Sequence, residues 1–316
     1  MRAQERDKTR CAIPQPFVYV VILNWNLKDD SEECVASVLR SDYPSYRVVV
    51  VDNGSTDGSP EYLTRHFPEI QVIANPTNVG FAAGNNIGIR YALQRHADYV
   101  FLLNNDTTVA PCMLGKLVHY AEGSTSIGVV APKVLYYKQR DRIWRMGERI
   151  YRWLPVPLSI GRDETDRGQF KEPFDVDYVA FCGVLIKRVV FETVGLLDEC
   201  FFFTYEDADF CRRTRNAGFR IVCVPQAHIW HKVSLSAERD AANMRYLKSK
   251  SRAIFYRMYP HGPHPWLTAA YLWLNTLGTA LVSLLHGQPE LAKMAVRGLS
   301  DGYRVNLDDW KAHGEH

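Results

Sequence analysis

The sequence predicts an α/β fold: a parallel sheet covered by helices on both faces, with a helical segment closing the chain. Three observations predict it. The strand-like runs are continuous stretches of β-branched and aliphatic residues, such as Val48-Val-Val-Val, without the alternation of a half-exposed strand. Each run breaks into a polar, turn-forming cluster and then a helical pattern, as βα units do. Beyond Trp230-His231 the period turns helical to the end.

At 316 residues, with 47% apolar and 23% charged, the chain can bury a full core and falls outside the disordered class. No repeat period is present, so one large domain, or one domain with an appendage, is expected. A net charge of +3 is too small for a nucleic-acid binder, although Lys248, Lys250, Arg252 and Arg257 form a local basic cluster. Seven cysteines without a CxxC pair support neither a zinc knuckle nor a disulfide framework and fit a reducing cytoplasm. Met1 to Arg10 is highly charged and lacks the apolar stretch of a cleaved secretory signal.

The elements follow in order. Val18 to Leu23 reads as a strand leading into Asn24-Trp-Asn and a helix to about Arg40. Val48 to Val51 repeats the unit, a third strand lies near Ile70 to Ala74, and a fourth, Tyr99 to Leu103, ends in Asn104-Asn-Asp-Thr. Ile143 to Lys171, rich in Arg, Trp, Pro, Gly and Asp, reads as a long loop able to cover a site. Strands resume at Tyr178 to Ile186 and Phe201 to Tyr205, a helix opens at Glu206, and a short strand spans Arg220 to Val224. The expected division is a polar tail at 1–16, a catalytic-type domain at 17–236 and a helical region at 237–316.

Four polar clusters stand beyond strand ends, where open α/β sheets bind ligands. Asp52, opening Asp-Asn-Gly-Ser-Thr-Asp-Gly-Ser, can accept hydrogen bonds from a nucleobase or ribose; an Asx turn capping the next helix is the competing reading. The run Asn78 to Gly88 resembles a phosphate cradle, with Gly80, Gly84 and Gly88 allowing close backbone approach ahead of a helix N-terminus. It lacks the Walker lysine and the dinucleotide fingerprint, and on these residues alone a tight strand-to-helix connection is the more economical account. Asp106 ends an apolar strand with a hard oxygen ligand that Mg²⁺ or Mn²⁺ could bridge to a diphosphate, against a helix N-cap ahead of Pro111. Of the acidic group that opens a helix, Glu206 and Asp209 share a face, whereas Asp207, rotated by about 100°, points elsewhere; dipole partners are the competing reading. His228 and His231 follow a strand and Pro225, and spacing does not say which is a ligand and which structural.

Together these segments resemble family 2 glycosyltransferases, in particular the bacterial rhamnosyltransferase-like branch that builds cell-surface polysaccharides. The resemblance rests on Val21-Ile-Leu-Asn-Trp-Asn, Val51-Asp-Asn-Gly-Ser-Thr-Asp, Asn78-Val-Gly-Phe-Ala-Ala-Gly-Asn-Asn, Leu103-Asn-Asn-Asp-Thr, Val194-Gly-Leu-Leu-Asp-Glu, Tyr205-Glu-Asp-Ala-Asp-Phe-Cys-Arg-Arg and Trp230-His-Lys-Val-Ser, in the family's order between about Val18 and Ser236. It implies a GT-A fold, a Rossmann-like nucleotide half with a mixed central sheet joined to an acceptor half, and inverting transfer of a sugar from a nucleotide donor. Asp207 would be the general base. Asp52 would contact the base, with Asn24, Asn78, Gly80, Asn85 and Asn105 also on the donor side. Asp106 and His231 would meet a divalent metal, Mg²⁺ or Mn²⁺, and Glu206, Asp209, Arg213 and Trp230 would support the acceptor side. Rhamnose from a dTDP donor is favoured by the resemblance, UDP-hexoses stay open, and the acceptor would be lipid-linked or a polysaccharide. Two residues depart from the family pattern: Asn104 stands where the motif has its first acid, and Asn85 where many relatives have an arginine.

Trp266 to Leu285 runs twenty residues without a formal charge, the length of a spanning helix. Thr268, Asn275, Thr279 and Ser283 share one helical face, opposite Trp266, Ala270, Trp273, Leu277 and Leu284. That favours a helix lying on a surface, or packed on protein in a monomer or homo-oligomer, over a span. With the basic cluster upstream, the expectation is a peripheral protein on the cytoplasmic face of the inner membrane. Two rivals stand beside the transferase: a sugar-phosphate nucleotidyltransferase, which leaves Asp207 and His231 without roles, and a decayed nucleotide-sugar-binding scaffold, which Asn104 supports.

Overall fold

The computed structural model describes residues 15–150, 157–233, 240–260 and 264–307. All but the last two residues of the expected tail, the boundary at 236, and part of the 143–171 segment lie outside them.

Strands β1 (Val18–Asn24), β2 (Tyr46–Asp52), β3 (Gln71–Ala74) and β4 (Tyr99–Asn104) are joined by helices α1 (Lys28–Leu39), α2 (Ser59–His66) and α3 (Phe81–Gln94). Then come β5 (Thr107–Val109), α4 (Met113–Glu122), β6 (Ile127–Tyr136), β7 (Ile143–Arg145), β8 (Glu148–Arg149), β9 (Leu158–Ser159), β10 (Phe174–Val176) and β11 (Gly183–Lys187). The chain continues through α5 (Arg188–Val194), α6 (Glu206–Asn216) and β12 (Arg220–His231), and closes with α7 (Ala241–Met258), α8 (Pro265–Leu285) and α9 (Pro289–Arg304).

The main sheet runs β3-β2-β1-β4-β11-β6-β12-β10. Its first four strands are parallel, as the continuous apolar runs require. Val18, Val20 and Ile22 enter one helical layer with Val35 and Leu63, while Tyr19 and Val21 enter the other with Ile89 and Ala92. Each fully buried aliphatic side chain there stabilises the fold by about 1.5–3 kcal/mol.

The sheet is mixed rather than wholly parallel, because β11 runs antiparallel to both β4 and β6. Of the run Tyr178 to Ile186, only Gly183 onward is strand. Phe201 to Tyr205 is not a strand at all. Thr204 and Tyr205 take φ of 65° and 73°, left-handed values that no strand allows, and Phe201 is buried instead beneath Phe255, Leu272 and Leu299. The strand expected at Arg220 to Val224 continues to His231. Its register against β6 shifts across Pro225–Ala227, where proline cannot donate to the ladder, and resumes at His228. The two histidines therefore sit on the strand, not after it.

The C-terminal helices are tied to the sheet domain. Tyr259 donates to Asp209 of α6 at 2.7 Å, and Ser251 to the Phe203 carbonyl at 3.0 Å. α9 lies directly on α7, because Gly298 and Gly302 face the Tyr246 and Lys250 carbonyls where no Cβ fits.

Candidate active site

The polar ends of β1, β2 and β4 form the floor of a crevice. Parallel register sets Asn24 beside Asp52, and α1 brings Ser31 over them. Asn24 donates to Asp52 Oδ1 at 2.5 Å and to Ser55 Oγ at 3.2 Å, and accepts from Ser31 at 2.5 Å and Asn105 at 3.0 Å. Asn105 donates further to Ser31 and to the Asn26 carbonyl. Both amides are thereby committed to holding the loops. Asp52 accepts only from Asn24 and the Ser55 amide, and a carboxylate has about four lone-pair sites, so it keeps capacity for a ligand donor.

The glycine-rich run serves packing rather than a cradle. A Cβ at Gly80 would strike the Phe202 carbonyl and ring, one at Gly84 would strike Leu23, and one at Gly88 would strike Val21. These close approaches let α3 sit hard against β1 and the loop before α6, which accounts for the glycines without a phosphate. Asn78 accepts from Asn53 and from the Gly80 amide, both at 2.9 Å. Asn85 is buried and donates to the Phe81 carbonyl of its own helix at 3.0 Å.

One wall of the crevice is the turn after β4. Asp106 is not a helix cap, since α4 begins at Met113 behind Cys112. Instead β5 pairs Thr107 with His231 of β12, and this register brings Asp106 Oδ1 to 3.0 Å from His231 Nε2. The contact is close but not aligned as a hydrogen bond, so Asp106 Oδ1 is buried without a hydrogen-bond partner among the described residues, and His231 Nδ1, the other ring nitrogen, is likewise buried without one. Trp144 closes the corner, its ring edge-on to His231 at 4.7 Å. An orphaned carboxylate oxygen beside an imidazole suits a hard divalent cation. Among the described residues no cluster of three or more His, Cys, Asp or Glu side chains is preassembled, so further ligands would be diphosphate oxygens and water. Trp230 alternates with His231 along the strand and faces the other way, with the Arg140 guanidinium 5.0 Å over its ring.

The opposite wall is the start of α6. Asp207 accepts from the Tyr178 hydroxyl at 2.6 Å and from the Ala208 amide at 2.8 Å. Burial raises its pKa above the usual carboxylate range, opposed by Tyr178, Ala208 and the Arg145 charge. Glu206 is pushed well above, by burial and then by the Asp207 charge, and its Oε2 has no hydrogen-bond partner among the described residues. Asp209 points into the core, 2.7 Å from Arg213 Nη2. Arg213 also donates to the Val194 and Leu196 carbonyls, so this pair braces α6. Between the walls lies Cys182, whose thiol is pushed up to about 12 by burial and then by both Asp106 and Asp207. The charges of Asp106 and Asp207 thus both act on one buried thiol.

Tyr178, Arg145, Trp144, Ser31 and Asn53 belong to this site and were not singled out from sequence. Asn53 alone had a signal, lying inside the Asp52 motif. Trp144 and Arg145 stand in a segment without a period, while Ser31 and Tyr178 lie in an expected helix and an expected strand with nothing to single them out.

A family model described as Glycosyl transferase family 2 matches residues 19–195, more than half of the chain. The dTDP-rhamnosyl transferase RfbF of Shigella flexneri is 24% identical over 216 residues, 68% of this chain and 69% of that protein. The N-acetylglucosaminyl-diphospho-decaprenol L-rhamnosyltransferase of Mycobacterium tuberculosis is 25% identical over 299 residues, 89% of this chain and 96% of its own. In fold the chain is similar to the mannosyltransferase PcManGT from Pyrobaculum calidifontis, solved with GDP-Man and Mn²⁺. That match has a TM-score of 0.55 at 17% identity and covers 94% of this chain and 78% of that one.

Proposed function

The chain belongs to glycosyl transferase family 2 and has a GT-A fold, and from that premise we propose that it moves rhamnose from dTDP-rhamnose onto a lipid-linked saccharide, with inversion and with a divalent cation. The reading rests on two carboxylates in different settings whose charges both act on Cys182: Asp106 beside His231 with an unsatisfied oxygen, and Asp207 held at both oxygens and made more basic by burial. The donor follows the names of the two relatives, and the acceptor follows the diphospho-decaprenol in one of them.

Asp207 takes the proton of the acceptor hydroxyl as that oxygen attacks the anomeric carbon from the side opposite the leaving group. Tyr178 and the Ala208 amide each hold one carboxylate oxygen and leave lone pairs free to accept that proton. Asp52, fixed by Asn24 at the end of β2, accepts from the nucleobase or ribose. Asp106 and His231 would hold a divalent cation, Mg²⁺ or Mn²⁺, which would supply positive charge against the departing diphosphate.

The test is direct. With dTDP-rhamnose, Mn²⁺ and a diphospho-lipid-linked N-acetylglucosamine, the chain should release dTDP only in the complete mixture, and the new linkage should have the inverted anomeric configuration by NMR. Transfer from a UDP-hexose alone would replace the donor. Donor binding without turnover would favour the scaffold reading that Asn104 supports.

α8 bears on where the protein works. It buries Thr268, Leu272, Thr276, Ala280 and Ser283 and exposes Leu274, Leu277, Leu281 and Leu285, the last at 77%. Hydroxyls turned inward and leucines turned outward reverse the pattern of a water-facing helix. By length and composition α8 could cross a bilayer. Thr268, Thr276 and Ser283 are already covered by protein and Arg252 reaches the side of the helix, so a helix lying in the interface on the cytoplasmic face fits better. The full chain should float with anionic liposomes, and Leu277→Glu with Leu281→Glu should keep it in the soluble fraction. Truncation at Tyr259 is a poorer test, because Leu299 of α9 fills the core under Phe201.

A further inference from the structure

We propose that a cationic face of α7 binds the diphosphate that joins the acceptor saccharide to its lipid. The assignment rests on the reading above that the acceptor is lipid-linked, and it gives a role to side chains that the donor site leaves unused.

Arg245, Lys248 and Arg252 follow one another at intervals of three and four residues, so they form one stripe along α7. Arg145 at the end of β7 and Arg162 stand close enough that their charges, with those of Arg245 and Arg252, all bear on Lys248. Arg145 is paired with Glu148, and Arg162 lies 3.7 Å from Asp163. Arg245, Lys248 and Arg252 have no carboxylate partner among the described residues. Lys248 is open to solvent yet crowded, and desolvation followed by the four guanidiniums holds its ammonium below the usual lysine range. The Nε–H groups of Arg145 and Arg252 are both buried without an acceptor. A multiply charged anion at the exposed Lys248 would relieve this repulsion.

Two neighbours point to the acceptor rather than the donor. Arg145 acts electrostatically on Asp207, the group that must meet the acceptor hydroxyl, whereas the donor diphosphate belongs with Asp106 and His231 across the crevice. Arg252 donates to Asn275 and Thr276 of α8, directly beside the exposed Leu274 and Leu277. A charged site that opens onto an apolar face matches a phosphate ester of a long isoprenoid, with its head on α7 and its tail along α8.

The test is equilibrium binding of farnesyl diphosphate, farnesol and dTDP to the full chain, with Mg²⁺ present throughout. The diphosphate should bind at least about tenfold more tightly than the alcohol, as expected when charge-assisted bonds are added to the same apolar contact. Arg245→Gln with Lys248→Gln should abolish that difference, Lys248→Arg should retain it, and dTDP binding should be the same in every variant. The single exposed-site variant Lys248→Gln, expected to lose at least about half the preference, serves if the double variant does not fold. Equal binding of diphosphate and alcohol by the unaltered chain, or an unchanged preference in the variants, overturns the proposal. So does a parallel loss of dTDP binding, which would assign these cations to the donor. No arm needs turnover, so failure to transfer rhamnose would count against the proposed function alone.

Discussion

Replacing Asp207 by Asn removes a proton acceptor while leaving its shape. The amide oxygen can still accept from the Ala208 N–H, and its nitrogen can donate to the Tyr178 hydroxyl once that rotates, so both contacts, at 2.8 and 2.6 Å, survive. A positioned carboxylate contributes about 10²- to 10⁴-fold to rate, or about 3–5.5 kcal/mol of barrier, and turnover should fall by that factor. Stability should move the other way. Burial raises the Asp207 pKa above its unfolded value, so the folded chain binds that proton more tightly. Its contribution to stability is present below the unfolded carboxylate range and is lost as pH rises through the raised folded pKa. At pH 8 the native chain holds an unfavourable buried charge that the Asn variant lacks, so the variant should melt at the same or a higher temperature. The assays are steady-state release of dTDP, donor affinity by calorimetry and a thermal melt at pH 8. Turnover above about a tenth of the native rate, a matching loss of donor affinity, or a melting point lowered by several degrees would refute the reasoning.

Asp106→Ala and His231→Ala should each weaken Mn²⁺-dependent binding of dTDP-rhamnose by at least about tenfold while leaving metal-free binding unchanged; equal binding with and without metal in the native chain would remove the metal corner. Tyr178→Phe deletes a hydrogen bond that holds the Asp207 pKa down, so the acid limb of the kcat/KM profile should move to higher pH, and an unmoved limb would leave Tyr178 without a part in catalysis. Tyr259→Phe should cost about 1–2 kcal/mol in denaturant unfolding by freeing one buried bond to Asp209. Asp209→Ala should cost about 2–4 kcal/mol because it strands Arg213, less than a wholly buried pair would, since Arg213 is a quarter exposed.

The parallel half of the sheet was readable because β1, β2 and β4 are buried on both faces, and burial of that kind writes an unbroken apolar run. Asp52 and Asp106 were readable as the residues where such runs stop. What brings His231 to Asp106 was not: Thr107–Val109 is too short to have a period, and its partner lies more than a hundred residues away. The direction of Asp207 followed from helical spacing, but the hydroxyl that holds it comes from Tyr178, in an irregular stretch. Phe201 to Tyr205 misled for the opposite reason. Aromatic residues favour strands on average, and here burial of Phe201 under α7 outweighed that preference and bent the chain through two left-handed residues. The glycines of α3 were ambiguous between two demands for close approach, and only the neighbours Phe202, Leu23 and Val21 decide it.

The outward leucines of α8 also set a ruler. Between α8 and the start of α6 stands α7, which touches α8 through Arg252 and the loop before Asp207 through Ser251. Were α8 to lie in the interface with Asp207 as the reacting carboxylate, the body of α7, about 10 Å across, would stand between that carboxylate and α8. A hydroxyl on the first or second sugar of an anchored glycan falls at that height, and one near the tip of a long chain does not. A helix that moored the enzyme in this way would restrict it to the opening steps of assembly, so product length would be read by distance rather than by recognition of any sugar.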